Sequence, residues 1–168
     1  MRKKIFITGA NGFIGSNLCR YFLAQGFEVY ALVRKTSDTH FLDSLPIHLV
    51  YGDLREPEGI FPPLDIDYYV HSASIVTDQA SADESEAGIH LLTVNFVQRL
   101  AELGIRPRRF VYISTTLTLG YLERNISEEK PGKSTDFMPY SQAKKKTEAF
   151  LLEKERTEGF PVVILRPG

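Results

Sequence analysis

Residues 4–15 read Lys4-Ile5-Phe6-Ile7-Thr8-Gly9-Ala10-Asn11-Gly12-Phe13-Ile14-Gly15, an apolar run that leads into three glycines spaced G-x-x-G-x-x-G. The run predicts a short buried strand, and the residues after it have the apolar spacing of an amphipathic helix. At such a turn, one glycine permits a sharp bend, the next lets the backbone approach a phosphate, and the third lets the helix pack against the strand. The helix N-terminus attracts the anion. The segment therefore predicts a turn that binds the pyrophosphate of a dinucleotide.

The composition of the 168-residue chain is that of one ordinary globular domain. A formal net charge of −1, without a basic stripe interleaved with aromatic residues, argues against nucleic acid as a partner. The apolar runs are shorter than the roughly 18 residues of a membrane span, and no secretion signal is recognisable. The single cysteine, Cys19, rules out an internal disulfide and is expected to be buried under the first helix. We expect a cytoplasmic protein that binds no metal and acts on a small molecule.

Apolar runs and helical patterns alternate along the chain, which is typical of parallel strands joined by crossover helices. The predicted strands are Lys4–Thr8, Glu28–Val33, Ile47–Tyr51, Tyr68–His71, Arg109–Ser114 and Val162–Arg166. The predicted helices are Gly12–Gln25, Asp83–Leu103 and Pro139–Thr157, with a turn or two of helix in Ser37–Leu45 and Glu56–Pro62. Tyr121–Phe137 is expected to be a long loop that closes over the site. The pattern predicts an α/β doubly wound parallel sheet of about six strands in three αβα layers, the Rossmann fold.

Tyr140 and Lys144 lie four residues apart in the last predicted helix, so both side chains face the same side of it. An ammonium near a phenol lowers the tyrosine pKa from its usual value of about 10. Together with a positively charged nicotinamide, Lys144 would make Tyr140 a general acid or base at neutral pH. Ser114-Thr115-Thr116 comes at the carboxyl end of a predicted strand, where a hydroxyl can hold a substrate oxygen. The alternatives are a plain amphipathic helix surface and a Ser/Thr run that caps a strand.

Six motifs, in this order along nearly the whole chain, resemble those of the extended short-chain dehydrogenase/reductase family. That group includes sugar-nucleotide epimerases, dehydratases and dihydroflavonol-reductase-like enzymes. The motifs are Thr8-Gly9-Ala10-Asn11-Gly12-Phe13-Ile14-Gly15, Gly52-Asp53-Leu54, His71-Ser72-Ala73-Ser74, Arg109-Phe110-Val111-Tyr112-Ile113-Ser114-Thr115, Pro139-Tyr140-x-x-x-Lys144 and Leu165-Arg166-Pro167-Gly168. The combination is far more specific than any single motif.

The resemblance implies a role for each matching residue. The residues implied to line the pyrophosphate are Gly9, Gly12, Phe13, Ile14 and Gly15. Asp53 and Leu54 are implied to flank the adenine, and His71 and Ala73 to lie in a loop beside the cofactor. Tyr140 and Lys144 are implied to contact the cofactor as well. Tyr140 is implied to be the catalytic acid/base, Lys144 to hold the nicotinamide ribose and lower the tyrosine pKa, and Thr115 to orient the reacting hydroxyl or carbonyl. Arg166 and Pro167 open the segment near the nicotinamide.

Three departures from the family pattern narrow this chemistry. Relatives usually carry asparagine where this chain has Ile89. The polar contact of that asparagine is therefore expected to be absent here, or to be made by His90 or Asn95 instead. Sugar dehydratases place Asp-Glu directly after the catalytic threonine, and this chain has Thr116-Leu117 there, which disfavours dehydration. Leu119 replaces the usual tyrosine before Gly120 and weakens the analogy to epimerases.

The end of the second strand predicts the cofactor. A site for NAD places a carboxylate there to hold the ribose hydroxyls, but this chain reads Leu32-Val33-Arg34-Lys35. Arg34 can bind a 2′-phosphate bidentately and Lys35 adds positive charge. NADPH is therefore predicted as the preferred cofactor, with NAD as the alternative if Arg34 is simply solvated at the strand end.

These residues together predict an NADP-dependent oxidoreductase domain that transfers hydride between nicotinamide and a secondary alcohol or ketone. One alternative is a nucleotide-sugar epimerase with tightly bound cofactor, and another is a dinucleotide sensor or scaffold without turnover. In relatives, a smaller C-terminal domain after Leu-Arg-Pro-Gly determines substrate specificity. Residues 1–168 are therefore expected to form the NAD(P)-binding domain alone, inactive without that domain, with an exposed sheet edge that predicts self-association, as in a homodimer.

Overall fold

In a computed structural model that describes residues 2–75, 80–120, 127–128 and 137–168, six parallel strands form one sheet in the order β3-β2-β1-β4-β5-β6. The strands are β1 Lys4–Thr8, β2 Glu28–Val33, β3 His48–Tyr51, β4 Tyr68–His71, β5 Arg109–Ile113 and β6 Val162–Leu165. The direction in which strands are added reverses between β1 and β4, and a doubly wound sheet forms its ligand crevice at this point. The predicted Rossmann fold is confirmed, with strand ends that differ from the prediction by one residue at β3, β5 and β6.

Helices cover both faces of the sheet. They are α1 Phe13–Ala24, α2 Ala82–Ser85, α3 Leu92–Glu102 and α4 Pro139–Glu158, with short 3-10 turns at His40–Leu42, Pro57–Gly59 and Thr116–Thr118. Gly159, at a φ of +66°, ends α4 in the left-handed conformation typical of helix C-termini. The predicted loop Tyr121–Phe137 lies outside the described residues, apart from Ser127, Glu128 and Phe137. No helix in the described part of the chain is both long and apolar enough to cross a membrane.

The predicted long helix over Asp83–Leu103 is present as an uninterrupted helical stretch from Ala82 to Glu102, with one feature that was not predicted. A π-helical turn, Glu86–Leu91, separates α2 from α3. Within it, Gly88 lies against Ile75, whose backbone N–H donates to the Gly88 carbonyl at 3.1 Å. A Cβ at position 88 would come within 2.1 Å of the Ile75 side chain. The turn therefore packs tightly on the segment that follows β4, and this contact between distant residues is not encoded in local helical spacing.

The core consists of two apolar layers, one on each face of the sheet, because successive strand residues point to opposite sides. In β1, Ile5 and Ile7 pack on the α1 side with Cys19, which is fully buried as predicted. Phe6 points to the other face and stacks with Phe96 of α3. The two layers hold α1 and α3 firmly on opposite faces, and so fix the carboxyl ends of the strands as a rigid edge.

Candidate active site

The glycine-rich turn closes tightly between β1 and α1. Gly9 has a φ of +65°, and a Cβ there would lie 2.7 Å from the backbone nitrogen of Ala73. A Cβ at Gly15 would lie 2.2 Å from the Gly9 carbonyl oxygen. Gly12 donates its N–H to that same oxygen at 3.0 Å and is the N-cap residue of α1. The backbone is thus as compact as a phosphate-binding turn requires, and the N–H groups of the first helical turn point toward the space beyond it.

A cleft of about 760 Å³ opens from this turn along the carboxyl ends of β1, β2 and β4. Its walls include most of the residues predicted to bind the cofactor: Gly9, Gly12, Phe13, Ile14, Gly15, Arg34, Asp53, Leu54 and Ala73. Phe13, the first residue of α1, is 81% exposed and lines the cleft. Lys35 is exposed but does not line the cleft. The size of the cleft and the glycine cradle at its base fit a dinucleotide.

Two arginines and one carboxylate meet where β2 and β3 end at the cleft. Arg34 follows β2, and Arg55 forms an ion pair with Asp53, its Nη2 2.5 Å from a carboxylate oxygen. Hydrogen bonds from Arg55, with a smaller contribution from the charge of Arg34, lower the pKa of Asp53. Arg55 was not among the predicted site residues, although the Asp-x-Arg spacing signals such a pair. The Asp53 carboxylate is thus already paired with a side chain of the same loop.

His71 lies beneath the cleft, not in its wall. Its side chain is fully buried among the rings of Phe96 and Tyr112. Thr93 Oγ1 uses its hydrogen to donate to the Ile89 carbonyl at 2.9 Å. It therefore accepts a hydrogen bond from His71 Nε2 at 3.1 Å. The other ring nitrogen, His71 Nδ1, accepts from Thr8 Oγ1 at 2.9 Å. This chain of hydrogen bonds makes His71 a structural link between β1, β4 and α3. The residues that follow it, Ser72, Ala73 and Ser74, line the cleft.

His71 should make the protein sensitive to mild acid. Burial lowers its pKa to about 3, against about 6.5 in an unfolded chain. Between these two pH values the unfolded chain binds a proton that the folded chain excludes, so stability is full above about pH 6.5 and falls toward about pH 3. We expect a loss of about 1.4 kcal/mol of unfolding free energy per pH unit, measured by urea titration. His71→Gln should flatten this dependence of the unfolding free energy on pH, whereas His40→Gln, which replaces an exposed histidine, should not. The same slope in His71→Gln and in the unmodified protein would contradict the role of His71.

The residues predicted to carry chemistry come together at the carboxyl end of β5. Tyr140 lies in the first turn of α4, and Ser141 Oγ donates to the Leu117 carbonyl at 3.1 Å, which holds that turn on the Thr116–Thr118 segment. Lys144 Nζ donates to the Ile113 carbonyl at 2.8 Å and lies 5.8 Å from the centre of the Tyr140 ring. Thr115, between β5 and the 3-10 turn, is half-buried. The helix therefore presents Tyr140 and Lys144 beside the Ser114-Thr115 turn, as their spacing predicts.

The electrostatics of this group differ from the sequence-based expectation. The pKa of Tyr140 is raised, because burial disfavours the phenolate. Burial also lowers the pKa of Lys144 to about 8, and the charge of Glu148 opposes that effect. Lys144 Nζ is directed at the Ile113 carbonyl and lies 4.8 Å from the centre of the Tyr112 ring. A lysine placed this way does not by itself produce a phenolate.

Sequence reasoning missed one buried residue of the site, Glu148. It lies on α4 one turn after Lys144 and accepts hydrogen bonds from Ser114 Oγ and, at 3.0 Å, from Thr118 Oγ1. Arg166, just after β6, donates to it from Nη2 at 2.7 Å and from Nε at 3.1 and 3.2 Å. The spacing of Tyr140, Lys144 and Glu148 at every fourth residue was the available signal. Arg166, predicted near the nicotinamide, is thus committed to a buried ion pair behind the site.

The chain is similar to proteins of one enzyme family. The model of the NAD dependent epimerase/dehydratase family matches residues 5–168. Sterol demethylase protein B of Methylococcus capsulatus is 30% identical over 171 aligned positions, covering 96% of this chain and 50% of that protein. A putative dihydroflavonol 4-reductase of Synechocystis is 51% identical over 51 positions, 30% of this chain and 15% of that protein. The chain spans about half the length of the curated relatives it matches along most of its own length.

Solved structures show the same fold. A dTDP-glucose 4,6-dehydratase from Streptomyces venezuelae, solved with NAD bound, has a TM-score of 0.81 at 26% identity and covers 97% of this chain and 55% of that one. The family model, the glycine-rich turn, the strand order and the cleft at the switch point agree with one another. The chain belongs to the NAD dependent epimerase/dehydratase family.

Proposed function

We propose that the chain forms the NADP-binding part, with the catalytic Tyr140, of an oxidoreductase that interconverts a secondary alcohol and a ketone. The observation that carries the proposal is the position of Tyr140 and Lys144 on α4 beside the Ser114-Thr115 turn, at the same sheet edge as the cleft. When bound, the nicotinamide supplies or accepts the hydride. The protein's own residues then have to hold the substrate oxygen and move one proton.

Each of the three residues has a distinct part in this reaction. Tyr140 donates its phenolic proton to the substrate oxygen in reduction and takes it back in oxidation. Thr115 holds the same oxygen through its hydroxyl. Lys144 donates one of its three N–H groups to the Ile113 carbonyl, so the others are available for the ribose hydroxyls. Burial raises the pKa of Tyr140, so the phenol is protonated at neutral pH and ready to act as the acid in reduction.

The preference for NADP rests on the charges where β2 ends. Arg34 is exposed at the cleft, and the nearest carboxylate lining this end, Asp53, is paired with Arg55. A 2′-phosphate would find a guanidinium directly after the strand, while the nearby Asp53 carboxylate is hydrogen-bonded to Arg55. Ser37 lines the same corner, and its N–H donates to the Arg34 carbonyl at 3.0 Å, so the turn that carries Arg34 is ordered.

The test of this preference is the affinity of Arg34→Ala for both cofactors. A charge-assisted bond to phosphate contributes about 1.5–3 kcal/mol, so the variant should lose roughly 10- to 100-fold in NADPH affinity while NADH affinity hardly changes. The measurement is a titration followed by nicotinamide fluorescence. Arg109→Ala, which removes an exposed arginine at the start of β5, is the matched control.

Equal affinity of the unmodified chain for NADPH and NADH would refute the NADP preference. Retention of NAD through purification would instead favour the alternative, an epimerase that oxidises and re-reduces one sugar with a tightly held cofactor. The family is that of NAD dependent epimerases and dehydratases, and a putative dihydroflavonol 4-reductase is among the proteins similar to this chain, so the tightness with which the cofactor is held separates the two proposals.

A further inference from the structure

The buried cluster around Glu148 consists of Glu148, Arg166, Ser114 and Thr118. Glu148 is 7% exposed, and its side chain and that of Arg166 are 9% and 16% exposed. Every partner of its carboxylate is a donor: two hydroxyls and two guanidinium nitrogens. A charge this far from water is stable only when it is paired and hydrogen-bonded, and this one is both.

The cluster joins the elements that carry the proposed catalytic residues. Ser114 precedes Thr115, Thr118 ends the 3-10 turn that follows it, and Glu148 binds both hydroxyls. Arg166 connects the same carboxylate to the end of β6. The N–H of Thr116 donates to the Pro167 carbonyl at 3.1 Å, a second link between these segments. Movement of α4 against β5 would therefore break several contacts at once.

Glu148 also carries the negative charge that acts on the Lys144 ammonium. The other surroundings of Lys144 are the Ile113 carbonyl and the faces of two tyrosine rings, none of which is an anion. The titratable and charged groups that face it, directly or through Glu148, are His71 on β4, Tyr112 on β5, Tyr140 and Glu148 on α4 and Arg166 after β6. His71 is held neutral by burial and so adds no charge.

We propose that Glu148 is a positioning residue of the site: anchored by Arg166, it fixes the Ser114–Thr118 turn beside Thr115 and supplies the negative charge next to the buried ammonium of Lys144. Its consequence for catalysis rests on the proposed function, but its effect on Lys144 does not. Without the Glu148 carboxylate, the Lys144 ammonium would be stabilised only by a carbonyl dipole and two aromatic rings. Lys144 would then lose its proton more readily.

The test is the titration of Lys144, followed by NMR of protein labelled with ¹³C at the lysine Cε and assigned by the resonance missing in Lys144→Met. Glu148→Gln keeps a hydrogen-bond acceptor but removes the charge. We expect the Lys144 midpoint to fall below its value of about 8 by on the order of one pH unit, a tenfold loss of proton affinity. A merely structural role predicts the reverse, because a loosened core admits water and moves the midpoint up toward 10.5.

Glu153→Gln, which removes an exposed carboxylate of the same helix, should leave the Lys144 midpoint unchanged. If Glu148→Gln does not fold because Arg166 loses its partner, the double variant Glu148→Gln/Arg166→Gln removes both charges together, and the midpoint should again fall. An unchanged or raised midpoint in the folded variant overturns the proposal. The titration needs neither cofactor nor substrate, so its outcome is independent of whether the chain binds NADPH or turns over a ketone.

Discussion

Tyr140→Phe is expected to reduce turnover by about 10²- to 10⁴-fold while NADPH affinity stays within a factor of two or so. The substitution removes one oxygen, the atom proposed to donate the proton, and this loss corresponds to roughly 3–5 kcal/mol of transition-state stabilisation. The ring remains, so its contact with Lys144, whose Nζ lies 5.8 Å from the ring centre, persists. The phenolic oxygen is proposed to contact the substrate oxygen, so its removal should change cofactor binding little.

The measurement is the consumption of NADPH with a panel of ketones by protein that includes the substrate domain on which activity is expected to depend, beside a binding titration of the same samples. Tyr51→Phe removes a hydroxyl from an exposed tyrosine at the end of β3 and should retain full activity. Turnover by Tyr140→Phe within about threefold of the unmodified protein would remove Tyr140 from the acid/base role. Loss of NADPH binding together with turnover would instead mean that the tyrosine holds the cofactor.

The fold was predictable because its signals are local. Apolar runs bounded by Gly and Pro place the strands, and the G-x-x-G-x-x-G turn places the crevice, so sheet topology follows from few alternatives. The π-helical turn was not predictable in this way. Within it, Gly88 lies against Ile75, thirteen residues earlier in the chain, and helical periodicity carries no information about that contact.

The candidate site shows the same difference between local and non-local signals. Gly9, Gly15, Tyr140 and Lys144 could be predicted as site residues because their patterns are short spacings along the chain. Glu148 was missed because its importance arises from Arg166, which another strand brings to it. His71, predicted beside the cofactor, proved to be a buried link, since its position at the end of a strand is compatible with either face.

The spacing of Tyr140 and Lys144 predicts which side of the helix they share but not the direction of their pKa shifts. Two residues four apart on a helix face the same side, and this much is correct for Tyr140 and Lys144. The direction of a pKa shift, however, depends on burial as well as on neighbouring charge. Here burial raises the pKa of the phenol and lowers that of the lysine, so the sequence identified the pair without its protonation state.

Gly15→Ala is expected to impair both stability and cofactor binding. The added Cβ would lie 2.2 Å from the Gly9 carbonyl oxygen and 2.7 Å from the Ala10 Cα, which are backbone atoms that no side-chain rotation can move. Helix α1 must then shift away from β1, at a cost of about 3 kcal/mol. In a domain of this size the unfolding temperature should fall by roughly 10 °C. NADPH binding should fall below detection, because the shift carries away the N–H groups of the first helical turn.

Two other glycines separate the effect on folding from the effect on the cofactor. At Gly59 a Cβ meets nothing within 4 Å, so Gly59→Ala should change neither stability nor binding. At Gly12 a Cβ would lie 3.3 Å from the Gly9 carbonyl oxygen, in an extended backbone that alanine adopts, so Gly12→Ala should fold almost normally. Gly12 lines the cleft at the helix N-terminus, so a methyl group there should hinder the close approach of a phosphate, and NADPH affinity should drop by at least tenfold. Normal NADPH affinity in both Gly12→Ala and Gly15→Ala would show that this turn does not hold the pyrophosphate. Loss of affinity in both variants, with normal stability in Gly12→Ala, would identify the turn as the phosphate site.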